Sequence, residues 1–88
     1  MPSDSAPGAI TEEVARLIKE ERLRQDLSMS AVALRAGLSQ QMVSYVESGM
    51  RQPTLDTLLR ICGVLKIPLW TFIKRAEKQV AGIRKAKS

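Results

Sequence analysis

Gln40 and Gln41 stand side by side directly after Ser39, with Ser44 and Tyr45 one helical turn further on. A primary amide carries an acceptor and two donors in one plane, so a glutamine can pair bidentately with N6 and N7 of adenine. A serine hydroxyl bonds to several base edges or to a phosphate. Groups suited to catalysis are scarce by comparison. With no histidine, a single cysteine (Cys62) and no paired carboxylates in a plausible pocket, no acid, base and nucleophile set can be assembled, and no enzyme is expected. The same inventory leaves no metal site, and no glycine-rich phosphate loop is present, so no cofactor is expected. What remains is recognition by hydrogen bonding. Glutamine is also a common exposed helix former, so a neutral surface is the competing reading of the pair.

Amides that enter a groove must project from the exposed first turn of a helix whose later residues are apolar on the back. The residues around them fit. Ser39 is a predicted N-cap, Val43 and Val46 give an i, i+3 buried face, and Gly49 closes the helix. Ahead of it lies a two-turn helix capped by Ser28, with Val32, Ala33 and Ala36 on one face and Gly37 just past its end. Two helices joined by a three-residue turn that opens on glycine meet at a steep angle. A longer first helix is expected from the Thr11 cap to about Gln25, with Val14, Leu17, Ile18 and Leu23 as its apolar stripe. A fourth runs from Thr54 to about Lys66. Gly63 inside it costs about 1 kcal/mol against alanine and points to a tight helix approach. Pro68 starts a fifth.

The chain has 88 residues, enough for one domain, with 44 % apolar residues and only Tyr45, Trp70 and Phe72 as aromatics. An aliphatic core of this kind suits packed helices, and the expected fold is all-α. The net charge of +5 lies wholly in residues 74–88, where six basic side chains face only Glu77. That tail is either an electrostatic arm for nucleic acid or a solvated end. Residues 1–10, rich in Pro, Gly and Ser, read as disordered. The domain is expected over 11–81, with 82–88 as a flexible basic tail beyond Gly82. The N-terminus lacks the basic and apolar blocks of a signal peptide and no apolar run is long enough for a bilayer, so the expected location is the cytoplasm, away from membranes.

In the fifth helix Leu69, Ile73, Ala76, Val80 and Ile83 recur at 4, 3, 4, 3 spacing, the first four being the candidate dimer-interface residues. Two readings stand: an amphipathic helix packed on its own domain, or a homodimer seam at coiled-coil period. Trp70 and Phe72 fall off that seam and are expected to face the domain core.

From Leu17 to Ile73 the chain resembles the helix-turn-helix domain of the lambdoid phage repressor and Cro family, also called the XRE family. The residues that carry the likeness are Leu27-Ser28, Ala33, Gly37, Ser39, Val43, Val46, Glu47, Gly49, Pro53, Thr57-Leu58, Ile61 and Leu65, in order and at the family's spacings. The resemblance implies a five-helix repressor-like fold with the helix-turn-helix at helices 2 and 3. It implies base-contacting roles for Gln40, Gln41, Ser44 and Tyr45. It implies backbone contacts from Ser28, Met29 and Ser39, and from the loop Ser48, Arg51, Gln52 and Thr54. Arg35, exposed on the second helix, is a further phosphate candidate or simply solvated. Arg22 and Glu47 match positions that in phage repressors form a buried ion pair. One residue departs from the pattern: Met29 stands where many relatives have a glutamine that touches the DNA backbone, and a thioether is no strong donor.

The expected function is a sequence-specific regulator of transcription that binds double-stranded DNA as a homodimer on a palindromic operator. The alternative is a protein-interaction module on the same fold, such as an antitoxin or a regulator that binds a toxin or co-regulator. Met29 and the electroneutral body before residue 74 lean toward that alternative.

Overall fold

The computed structural model describes residues 7–49 and 52–87, which form five helices and no strand: α1 (Pro7–Arg24), α2 (Met29–Ala36), α3 (Gln40–Ser48), α4 (Leu55–Leu65) and α5 (Leu69–Lys87). The all-α architecture with a short α2–turn–α3 unit is the one expected. Two boundaries differ. Residues 7–10, expected as disordered, belong to α1, and Thr11 lies within the helix rather than capping it. Proline suits the first helical turn, where its missing N–H is not needed, and Ile10 gains burial against the core. At the other end α5 continues through Gly82 to Lys87, where a flexible tail was expected. One glycine weakens a helix by about 1 kcal/mol, which the helix formers on either side can carry. Ser88 lies outside the described residues.

Three hydroxyls start three helices. Ser28 Oγ accepts from Ala31 N–H at 3.0 Å, Ser39 Oγ from Met42 N–H at 3.0 Å, and Thr54 Oγ1 from Thr57 N–H at 3.1 Å. Each satisfies a donor that the first turn leaves open, worth about 1 kcal/mol. The end of α2 is set by Gly37 at φ +72°, where Leu38 N–H reaches back to Ala33 C=O at 2.9 Å. A side chain at Gly37 would be strained by that backbone and would meet Arg60 Nη1 at 3.2 Å from its Cβ. Arg60 is there because its Nη1 donates to Ala36 C=O at 3.3 Å, so α4 covers the turn of the motif.

The core is Val14 and Ile18 of α1, Val32 and Ala33 of α2, Val43 and Val46 of α3, Ile61, Cys62 and Leu65 of α4, and Leu69, Phe72 and Ala76 of α5. α1 packs most extensively on α5, and α2 is held between α3 and α4. The stripe that α5 buries is Leu69–Phe72–Ala76, i, i+3, i+7. Phe72 faces the core as expected, whereas Trp70 is 65 % exposed, against expectation. Cys62 is buried, and desolvation pushes its thiol up to about 11, so it is a protonated small hydrophobe at neutral pH.

The end of α1 is tied down by a polar cluster. Gln25 Nε2 donates to Glu21 Oε2 at 2.8 Å and to Leu65 C=O at 2.9 Å, bridging α1 to the last turn of α4. Hydrogen bonds from Arg24 and then Gln25 hold the Glu21 carboxyl below its ordinary value of 4.5. A carboxylate favoured by the fold contributes stability above that value, and loses it as pH falls through the depressed one. Thermal stability is therefore expected to fall as pH drops below about 4.5. Glu21→Gln should flatten that fall in a melting series. An unchanged acid slope in the variant would show that Glu21 is not a source of it.

Candidate nucleic-acid interface

The α2–α3 unit brings the expected reading residues to one place. Ser39 ends the turn, and α3 begins at once with Gln40 and Gln41, both exposed. On the opposite side of this nine-residue helix Val43, Val46 and Glu47 are buried. Ser44 and Tyr45 are half-buried. The helix is thus fixed by its back while its first turn faces solvent, which is the arrangement a groove-reading helix requires.

Gln41 is not a loose side chain. Its Nε2 donates to the Tyr45 hydroxyl oxygen at 2.7 Å, one turn on. That link was not anticipated, although i, i+4 spacing on a helix is the signal that could have found it. One Nε2 hydrogen and Oε1 remain for a further partner.

The orientation of α3 is held by a buried ion pair. Arg22 Nε donates to Glu47 Oε2 at 2.7 Å, and Arg22 Nη2 to Glu47 Oε1 at 3.0 Å. Arg22 Nη1 donates to Leu27 C=O at 2.7 Å. The side chains are 7 % and 2 % exposed. One planar guanidinium therefore joins α1, the turn after it and the last turn of α3, in the fork geometry that carboxylates accept best. Among the described residues, no buried side-chain nitrogen or oxygen lacks a hydrogen-bond partner.

The expected backbone-contacting residues divide. Ser28 and Ser39 are exposed N-caps of α2 and α3, so hydroxyls and open N–H groups lie together at two helix starts. Met29 is half-buried and packs against the core, which explains the methionine without a partner: this α2 residue is an apolar wedge. Arg35 is exposed at the other end of α2, in a groove bordered by Arg60 and Lys66 of the α4 side. Ser48 is exposed, and its hydroxyl donates to Tyr45 C=O at 3.1 Å. Gln52 is exposed. Thr54 is committed to α4, accepting from Thr57 N–H and donating to Thr57 Oγ1 at 3.0 Å. Arg51 and Met50 lie outside the described residues. Met42 is half-buried against the core, a filler rather than a groove residue.

The α5 seam is divided between the core and the surface. Leu69 and Ala76 are 8 % and 0 % exposed inside their own domain, and Val80 is half-buried, leaving Ile73 as the one exposed member of these four. Leu69 and Ala76 are used by the domain's own core, as in the intradomain reading, while Ile73 and part of Val80 are the members left open to a partner. Sequence reasoning also missed Arg60 and Gln25, which act across elements and leave no local periodicity to read.

Among the described residues, no group of His, Cys, Asp and Glu could hold a metal ion, and no helix is long and apolar enough to cross a membrane. A search of curated proteins finds no match to the chain. A helix-turn-helix family model matches residues 18–69, from the middle of α1 to the first residue of α5. That span contains the capped α2, the glycine turn and the exposed start of α3, and the chain belongs to the XRE/Cro-C1-type helix-turn-helix family of DNA-binding transcription regulators.

Proposed function

We propose that this regulator reads a specific palindromic operator as a homodimer, with α3 in the major groove and Gln40, Gln41, Ser44 and Tyr45 at base edges. The observation that carries the reading is the polarity of α3. Its amides face outward from a helix whose other side is locked by two valines and an ion pair. Ser28 and Ser39 supply phosphate contacts at the starts of α2 and α3, with Ser48, Gln52, Arg51 and Arg35 as outer contributors. Two-fold symmetry sets the half-sites about 34–36 Å apart, one turn of the duplex. Control is by occupancy of a promoter, with no chemistry.

Selection of bound duplexes from a random pool tests this directly, and a palindromic consensus is expected. Each bidentate amide–adenine pair is worth about 1–3 kcal/mol of discrimination. Gln40→Ala with Gln41→Ala should therefore lower preference for the consensus by at least about ten-fold while non-specific binding survives. An unchanged consensus from the double variant would remove these residues from the reading role. The competing protein-docking reading loses one of its two supports, since Met29 is accounted for by packing.

A further inference from the structure

The close helix approach expected at Gly63 is absent, since a Cβ built there would meet nothing within 4 Å. The tight contact of α4 lies one turn earlier, at Arg60. The last carbonyls of α2 need partners, and N–H groups of the turn itself bond to those of Ala33 and Leu34. The carbonyl of Ala36, the last residue of α2, accepts instead from Arg60 Nη1 at 3.3 Å. Arg60 reaches it across Gly37, where a Cβ would stand 3.2 Å from that nitrogen. The other edge of the guanidinium is held on α4, because Asp56 Oδ2 accepts from Arg60 Nε at 2.8 Å, one turn back. Arg60 is thus gripped between two helices, with its charge at the negative end of the α2 dipole. Ser39, the cap of α3, follows Ala36 by only three residues.

We infer that Arg60, oriented by Asp56, is a positioning residue for base reading: it caps α2 from α4 and so sets the angle at which Gln40 and Gln41 are presented. Stability does not account for the arrangement. The two side chains are 49 % and 75 % exposed, and an ion pair so open to solvent adds little. What the pair fixes is the place of the Ala36 carbonyl, and through the short turn the direction in which α3 leaves it. Bidentate pairing of an amide with a base edge is steeply sensitive to that direction, because hydrogen bonds weaken as they bend and a site must be held to within a fraction of an ångström. An arginine beside a DNA-reading motif has a rival role, direct contact with a phosphate. The geometry favours positioning, since Nε and Nη1 are both committed inside the protein. The inference rests on the base reading proposed for α3 and adds to it a residue that touches no DNA.

Titration of the selected consensus duplex and of a scrambled one, over a series of salt concentrations, tests it. Arg60→Ala and Asp56→Ala should each lower the ratio of consensus to scrambled affinity by about two- to ten-fold, the range that one hydrogen bond is worth. The salt slope should stay that of the parent, and melting should shift by less than about 8 °C. The double variant should read no worse than Arg60→Ala alone, because Asp56 acts only through Arg60. Exchange of the Met42 and Val43 amide hydrogens, both bonded to Ser39, should quicken in each variant. A phosphate contact predicts otherwise: Arg60→Ala would weaken both duplexes alike with a salt slope smaller by about one, and Asp56→Ala would leave the ratio unchanged. That pattern, or an unchanged ratio in both single variants, would overturn the role of Arg60 and leave the parent's consensus standing. A parent that selects no consensus at all would overturn base reading and this inference together.

Discussion

Replacing Glu47 by leucine is expected to cost about 3–5 kcal/mol, enough to bring a domain of this size close to unfolding. The reason is the state in which it leaves Arg22. That guanidinium is 7 % exposed in its side chain and would retain only its bond to Leu27 C=O. A buried charge without its counter-charge cannot recover the hydration it gave up. The pair itself adds little net stability, because desolvation offsets most of the attraction between the two ions. These statements make opposite predictions for single and double substitution. Arg22→Met combined with Glu47→Leu should be far more stable than Glu47→Leu alone and lie within a few kcal/mol of the parent. Urea unfolding of the four proteins closes the cycle. If Glu47→Leu unfolds at the parent's midpoint, the pair is not buried in solution as it is here.

The second large effect falls on α5. Phe72→Ala should destabilise by about 3–5 kcal/mol, since the ring is fully buried and its removal opens a cavity in the core. Trp70→Ala, two residues earlier, should change stability by no more than about 0.5 kcal/mol, because the indole is 65 % exposed. Equal losses at the two residues in thermal or urea unfolding would mean that α5 is rotated from the orientation described.

Those two aromatic residues also mark where sequence reading stops. The helix starts at Ser28, Ser39 and Thr54 and the ends at Gly37 and Gly49 were legible because capping is local chemistry, settled by a hydroxyl or a glycine and the few residues beside it. The motif and its family were legible for the same reason. The rotation of α5 was not. Trp70 lies about 100° round the helix from Leu69, and Phe72 about 60° the other way. A single apolar period places a stripe but does not fix its centre to within that angle. The packing of α1 fixes it, and nothing near residue 70 encodes α1. The start at Pro7 was hidden because Pro and Gly read as breakers, whereas the burial of Ile10 that draws the chain into helix is a tertiary gain. In the site, the outward amides of α3 followed from its polarity. Arg60 over the α2 turn and Gln25 on Leu65 C=O join residues far apart in the chain, which no local spacing reveals.

The hydrogen bond from Gln41 to Tyr45 has a consequence for what the amide tolerates. With Nε2 held to the Tyr45 hydroxyl, the amide keeps one N–H and its Oε1 for a partner, and it has less torsional freedom to lose on association than an untethered glutamine. Guanine shows two adjacent acceptors along its groove edge, so it would set one of them against Oε1. Adenine alternates donor and acceptor and meets no such conflict. A tether only one turn long can thus turn a side chain known for promiscuous bonding into a selective one.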